Sequence, residues 1–408
     1  MTSGRRPAGT AAGSRSPAHG FGDDEATTKL LRSRPPRQAL AWAAAQLSAP
    51  VISARALRGG MSSAVHLLIT QPPGGQRRYA VLRRYVRPEL NAEEPDIAAR
   101  EARALDVAGS AGIPTPELLA VDPAGTEAGV PAILMSRLPG RVEWWPPDTD
   151  RWLRRLAELL PRIHATPLPA PGTLRPFAPD PQDSYRPPGW TRQPRLWERA
   201  AEISRGPAPD LTAVLVHRDF HPGNVLWQRG TITGVVDWQA ACTGPAVADV
   251  GHCRINLLTA GTDATDRFTA LWQQATGTAY HPWADVVTII GFLDDLRDGW
   301  GSERLLVEDM LARAVAELGG QAAQLRSQSG PQPWLSLPVV DSQPGRASRC
   351  AGVLSPTRAR VAPAEFEAKG TRAVVSAARR CVEPFANGCR LVAVAGCRWP
   401  ALRRWCRW

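Results

Sequence analysis

Between Val214 and Gly251 the sequence reads VLVHRDFHPGNVLWQRGTITGVVDWQAACTGPAVADVG, and this stretch restricts the fold more than any other. Two short apolar runs, VLV and VLW, bracket His217, Asp219, His221 and Asn224, and a third run, TITGVV, leads to Asp237. Apolar runs of this length bounded by turn formers read as buried strands. VLW and TITGVV, separated by QRG, predict a hairpin, which returns its second strand beside its first. Asn224, just before the first strand, and Asp237, just after the second, then emerge at the same end. A carboxylate and an amide oxygen brought together are hard ligands suited to Mg²⁺. Asp219 is left beside them, able to orient a hydroxyl group and accept its proton. Phosphoryl transfer asks for such a set, because its catalysis is mostly positioning and charge neutralisation.

The 408 residues are enough for two or three domains with a sizeable core. Residues 1–37 are rich in Gly, Ser and Arg and predict a disordered leader. A short helix is expected at 39–47, then strands over 51–57, 65–69 and 77–86, with a Pro-Pro-Gly-Gly turn at 72–75. Residues 96–110 have helical periodicity, and 117–121 and 131–138 read as further strands. After Pro139-Gly140 the character changes. Asp150 is expected to cap a helix ending near His164, with Trp152, Leu153, Leu156, Leu160 and Ile163 as its apolar stripe. A Pro-rich segment, 167–196, precedes the opening stretch, and helices are expected around 265–275, 283–298 and 302–326. The prediction is an α+β chain: a small antiparallel β lobe over 38–138 and a larger helical lobe over 139–328. Residues 329–408, with scattered Cys and Trp and little periodicity, predict a disordered basic tail.

The net charge of +11 does not point to nucleic acid. Residues 1–37 carry +4 and residues 331–408 carry +9, so the middle of the chain is close to neutral and has no basic stripe. No apolar run approaches the roughly 18 residues that span a bilayer, so no membrane partner is expected. The seven cysteines include no C-x-x-C pair, and no apolar signal segment begins the chain. A reduced cytoplasm is the expected compartment.

HRDFHPGN, the hairpin with VVDW, and GPAVADVG together resemble the aminoglycoside phosphotransferase family of protein-kinase-like small-molecule kinases, over roughly residues 50–320. The resemblance implies a two-lobed protein-kinase-like fold, ATP and Mg²⁺ as cofactors, and a small hydroxylated substrate. It implies that Asp219 is the catalytic base, that Asn224 and Asp237 bind magnesium, and that His217 and Asp249 are structural. Such a kinase also needs a small-lobe cation paired with a helix glutamate. The only lysines, Lys29 and Lys369, lie in the end segments, so arginine must serve. Aligning AVLR with the V-A-I-K pattern selects Arg83, with Arg84 second, and Glu101 as the partner. LRGGMSS, with Gly59 and Gly60, would cover the phosphates, and the backbone from Ser136 to Leu138 would hold adenine.

Other readings compete. His217, Asp219 and His221 form an H-x-D-x-H pattern that a metal hydrolase could use, but Asn224 and Asp237 are then unexplained. A catalytically silent nucleotide-binding regulatory protein of the same fold is the rival from another class, and the intact Asp219, Asn224 and Asp237 argue against it. His252 and Cys253 are expected to be packed residues without partners. Trp144 and Trp145 are expected to pack between the lobes. Asp294, Asp295 and Asp298 read as a solvated helix face, and the 167–196 segment as a contributor to acceptor choice.

Overall fold

The computed structural model describes residues 25–57, 62–179, 185–293, 296 and 303–328. Gly59, Gly60, Asp294, Asp295, Asp298, Lys369, the first 24 residues and the predicted tail lie outside the described residues.

Five strands form one antiparallel sheet in the order β1-β2-β3-β5-β4. They are β1 (Val51–Ala56), β2 (Ala64–Thr70), β3 (Arg78–Arg84), β4 (Leu118–Asp122) and β5 (Ala132–Ser136). Alternation along β3 splits its side chains between two faces. Ala80 and Leu82 join Leu68 and Leu134 beneath Ala39, Trp42 and Ala43 of helix α2 (Arg37–Gln46). On the other face Tyr85, Ile133 and Met135 share a core with Ile97, Ala98, Ala104, Leu105 and Ala108 of α4 (Ile97–Ser110). Arg83 falls on the α4 side of the strand, and Arg84 on the α2 side. The β4–β5 connection is organised by Asp122, whose carboxylate accepts from the backbone N–H groups of Thr126, Glu127 and Ala128 at 3.1, 2.8 and 2.7 Å.

Two elements precede or interrupt what the sequence predicted. Helix α1 (Glu25–Arg32) falls inside the expected leader and buries Leu31 against Ala64 and Val86. The short α3 (Pro88–Glu93), with Pro at its start, lies between β3 and α4.

The helical region is built on α5 (Thr149–His164), which buries Trp152, Leu153, Leu156, Leu160 and Ile163 as its stripe predicts, together with Ala157 and Leu159. Burying each large apolar side chain of this stripe contributes about 1.5–3 kcal/mol. Its cap is Asp148, not Asp150: the Asp148 side chain accepts from Arg151 N at 3.1 Å. Asp150 sits in the first turn and instead pairs with Arg267 at 2.7 Å. The described residues also form α6 (Pro194–Arg205), α7 (Val247–Leu257), α8 (Thr262–Thr276), α9 (Trp283–Gly291) and α10 (Glu303–Gln328). Among the described residues no helix is long and apolar enough to cross a membrane.

Two small sheets carry most of the stretch from Val214 to Gly251. One has the order β10-β9-β6, from β6 (Arg141–Val142), β9 (Val225–Gln228) and β10 (Thr231–Val235). The other has the order β7-β11-β8, from β7 (Arg175–Pro176), β8 (Ala213–Val216) and β11 (Cys242–Pro245). Gln228 pairs with Thr231, so the β9–β10 loop is Arg229-Gly230, with φ of 53° and 70°. Two residues of positive φ make the primed turn whose twist matches a hairpin.

Candidate active site

The hairpin brings Asn224 and Asp237 to one end, where Val236 N–H donates to Asn224 O at 2.9 Å. Asp237 leaves β10 in the left-handed region (φ 71°, ψ 64°), a turn that swings its carboxylate back across the sheet end. Its side chain is completely buried and receives both ends of the Arg83 guanidinium, Nη1 to Oδ1 at 2.9 Å and Nη2 to Oδ2 at 2.7 Å. Arg83 Nη1 also donates to Glu101 Oε1 at 2.5 Å, and the Tyr85 hydroxyl donates to Glu101 Oε2. Burial alone would lower the Arg83 pKa, but the Asp237 and Glu101 charges drive it upward. Full burial pushes the Asp237 carboxyl upward, with the Glu101 charge adding to the rise, and the bidentate Arg83 guanidinium opposes this by holding it as the carboxylate. Arg83, Glu101 and Asp237 are thus one buried cluster linking β3, α4 and the end of the hairpin.

The loop between β8 and β9 is held from beneath. Asp249 of α7 is fully buried and accepts from His217 N at 2.9 Å and Arg218 N at 2.7 Å, while His164 Nε2 lies 2.9 Å from its Oδ2. Arg218 adopts φ 70° and places its guanidinium 4.2 Å from the centre of the Phe177 ring. His217 Nε2 donates to Val236 O at 3.0 Å, and its Nδ1 accepts from Asp219 N at 3.3 Å. Burial lowers the His217 pKa, in keeping with a neutral ring that uses both nitrogens within the chain. A metal-hydrolase ligand role for His217 does not fit this bonding. Among the described residues no group of His, Cys, Asp and Glu is arranged to hold a metal through such a set.

Burial also tends to raise the Asp249 carboxyl, but the His164 bond and charge hold it below the ordinary value. A depressed folded-state pKa contributes stability that is present above the unfolded carboxylate pKa and lost as the pH falls through the folded one. Asp249→Ala is therefore expected to cost about 3–5 kcal/mol near neutrality, the scale for breaking a buried charged network. The difference from wild type should shrink on acidification. Urea unfolding at several pH values measures this, and a constant difference down to acid pH would remove Asp249 from the account.

Asp219 lies above this platform, 2% exposed. Asn224 Nδ2 donates to Asp219 O at 2.8 Å and to Oδ2 at 3.0 Å. His252 Nε2 lies 2.8 Å from Oδ1, and His221 Nε2 lies 3.8 Å from the same atom. Burial would raise the Asp219 pKa, but the His252 imidazole beside it and the charges of His221 and His217 bring it below the ordinary value. At Gly223 a Cβ would stand 2.5 Å from His221 Cε1, so a larger residue would displace the ring to which Gly223 N donates at 3.1 Å.

With its Nδ2 committed to Asp219, Asn224 keeps Oδ1 buried and without a hydrogen-bond donor among the described residues. An unpartnered amide oxygen close to a buried carboxylate is a donor set that fits Mg²⁺.

Other expected residues fall as follows. The Ser136 amide donates to Glu117 O at 2.8 Å and its hydroxyl accepts from Glu117 N at 2.9 Å, so that amide is not available to adenine. Leu138 packs over Gly234, where a Cβ would come 2.3 Å from Leu138 Cδ1. Ser62, at the end of the LRGGMSS segment, accepts from Gln239 Nε2 at 3.2 Å. Trp145 packs edge-on to Trp152 of the helical core at 5.1 Å, while Trp144 lies 6.1 Å from His221. His252 and Cys253 are both buried as expected, but His252 has a partner in Asp219. The sequence offered no motif for that contact, which depends on how α7 packs.

The face assignment on β3 yields a direct test. Arg83→Ala is expected to weaken ATP binding tenfold or more, on the scale of about 1.4 kcal/mol per decade. Arg84→Ala, on the opposite face, should leave it within about twofold. Calorimetric titration of both variants checks the ranking, and the reverse order would contradict the register.

An antiparallel sheet carrying a buried Arg–Glu pair, set against a larger helical region carrying an Asp–Asn–Asp loop, is a bilobal protein-kinase-like architecture. The chain belongs to the phosphotransferase enzyme family, whose model matches residues 53–286. Among curated proteins it is similar to acyl-CoA dehydrogenase family member 10 of Mus musculus, 29% identical over 178 residues. That match covers 38% of this chain and only 16% of the mouse protein. Among solved structures it is similar to aminoglycoside phosphotransferase APH(4)-Ia, at 17% identity and a TM-score of 0.49, over 68% of this chain and 98% of that one. It is also similar to macrolide 2'-phosphotransferase MphH from Brachybacterium faecium, at 18% identity and a TM-score of 0.44, over 67% and 98% of the two chains. These similarities are too low to bear on the substrate.

Proposed function

We propose that the protein is a small-molecule kinase that moves the γ-phosphoryl group of ATP to a hydroxyl of a small molecule. The observation that carries this reading is the joint placement of Asp219, Asn224 and Asp237, with Asn224 bonded to Asp219 through its nitrogen and its oxygen left unpartnered. In this reading residues 38–138 bind the nucleotide and residues 139–328 carry the catalytic loop and the acceptor. Arg83, oriented by Glu101, meets the α/β-phosphates, and backbone groups after Ser136, through Leu138, hold adenine. Gly59 and Gly60 belong to the segment covering the phosphates.

Asn224 Oδ1 and the Asp237 carboxylate would hold Mg²⁺, which neutralises charge on the phosphate oxygens when bound. Asp219 orients the acceptor hydroxyl and takes its proton. The acceptor oxygen forms its bond to the γ-phosphorus as the bond from that phosphorus to the bridging oxygen of ADP breaks. His217 and Asp249 support the loop without touching the reactants. The free, buried thiols of Cys242 and Cys253 accord with a cytoplasmic setting.

One observation favours the silent nucleotide-binding alternative. The bidentate bond from Arg83 neutralises Asp237, so Mg-ATP must exchange that pairing for its own. A screen of sugars, amino alcohols and hydroxylated antibiotics with Mg-ATP, read as acceptor-dependent ADP release, separates the two. The kinase reading expects at least one acceptor to stimulate release. ATP binding without stimulation by any acceptor would favour the silent protein.

A further inference from the structure

The carboxylate assigned as base has a polar side chain against each of its two oxygens, and only one of these neighbours belongs to a recognised motif. Asn224 Nδ2 donates to Asp219 Oδ2 at 3.0 Å, whereas His252 Nε2 and Asp219 Oδ1 lie 2.8 Å apart without hydrogen-bond alignment, two buried polar atoms that have no other hydrogen-bond partner among the described residues. Both partners of the second contact are buried, at 5% and 2% side-chain exposure. A carboxylate offers about four lone-pair positions on its two oxygens. A donor on each oxygen would fix the plane of the group and leave positions for a third donor, and a small turn of the His252 ring would bring its Nε2 into that place on Oδ1.

The imidazole is itself set by the fold. Its ring centre lies 5.9 Å from that of His221 and 5.3 Å from that of Phe292. Its helix, α7, is pressed against α9 at Gly251, where a Cβ would come 2.9 Å from the Ala284 backbone, so the helix cannot easily slide. His221 is closer in sequence but does not fill this place. Its Nδ1 accepts the Gly223 N–H, and its Nε2 remains 3.8 Å from Oδ1.

We propose that His252 is a positioning residue for phosphoryl transfer, donating from Nε2 to Asp219 Oδ1 and, opposite Asn224, fixing the rotamer in which Asp219 meets the acceptor hydroxyl. The inference rests on the kinase reading of Asp219. It gives His252 no proton to carry: the acceptor proton goes to Asp219.

The test uses the full chain with His252→Ala and His252→Gln, the glutamine nitrogen reaching roughly where Nε2 stands. His252→Ala should lower kcat about tenfold or more, the scale of misplacing a reacting group, with the KM for ATP unchanged. His252→Gln should recover most of the loss, which a packing role would not allow for so different a shape. Equal activity in His252→Ala and wild type would overturn the proposal, as would a glutamine variant no better than alanine. So would a loss in both variants as deep as that of Asp219→Asn, because His252 would then carry the proton itself. A second measurement needs no acceptor: ¹⁵N NMR of the histidine side chains should find His252 protonated at Nε2, with that signal displaced in Asp219→Ala. An unchanged His252 signal would overturn the contact. If wild type phosphorylates no acceptor while the NMR signature is present, the kinase reading fails and the His252–Asp219 contact stands.

Discussion

Asp237→Ala is expected to abolish Mg²⁺-dependent ATP binding. The substitution removes the anionic member of the pair that would hold the metal and leaves one neutral oxygen, Asn224 Oδ1, in its place. It also strips Arg83 of its bidentate partner, leaving a buried guanidinium with Glu101 as its remaining carboxylate contact among those described. Breaking a buried ion pair by removing one partner costs about 3–5 kcal/mol, so Asp237→Ala also destabilises the fold. Asp237→Asn separates the causes. It keeps the size and one acceptor oxygen, so the chain should fold and bind ATP weakly, with an affinity that no longer responds to Mg²⁺. Titration calorimetry with and without the metal reads both effects. Undiminished Mg²⁺ dependence in Asp237→Asn would place the metal elsewhere.

The second large effect is at Asp219. Asp219→Asn preserves shape and one acceptor oxygen but removes the proton acceptor and its charge. Turnover should fall by about 10²-fold or more, the usual scale for positioned acid–base groups. ATP affinity should change little, because the nucleotide is assigned to Arg83 and the metal pair and not to Asp219. Lost turnover with retained binding distinguishes a phosphoryl-transfer base from a residue that only supports the loop; a loop-supporting residue such as Asp249 would lose both through unfolding.

How much of this was legible beforehand depended on whether a contact is local. The β9–β10 hairpin was readable because two apolar runs flank a tight turn, and the hairpin alone brings Asn224 to Asp237. The Arg83–Glu101 pairing came from the scarcity of lysine and the AVLR pattern, and strand alternation separated Arg83 from Arg84. The apolar stripe of α5 matched the buried residues, yet its cap lay two residues earlier, since Asp148 and Asp150 are equally good capping types and only backbone geometry chooses.

The misses have physical causes of another kind. Helix α1 was hidden in a segment whose Arg, Ser and Pro content reads as disorder, although a single apolar residue, Leu31, anchors it to the sheet. Helix α6 follows a Pro-rich run, and Pro194 was counted with that run when its first-turn position was a helix start signal. Its buried Trp197, Ala200, Ala201 and Ser204 form the face that packs inward. His252 was beyond reach altogether. Its meeting with Asp219 depends on the packing of α7 against the loop from β8, a relation that no spacing rule encodes.

In the proposed reading Asp219, Asn224 and Asp237 transfer a phosphoryl group rather than merely bind a nucleotide. The most direct measurement is transfer of label from [γ-³²P]ATP to a panel of hydroxylated small molecules, by wild type and by Asp219→Asn, after both are shown to bind Mg-ATP. The account predicts a labelled product with wild type and at least a hundredfold less, by the scale given above, with the variant. Equal labelling by the two proteins, or Mg-ATP binding by wild type without labelling of any acceptor, would contradict it.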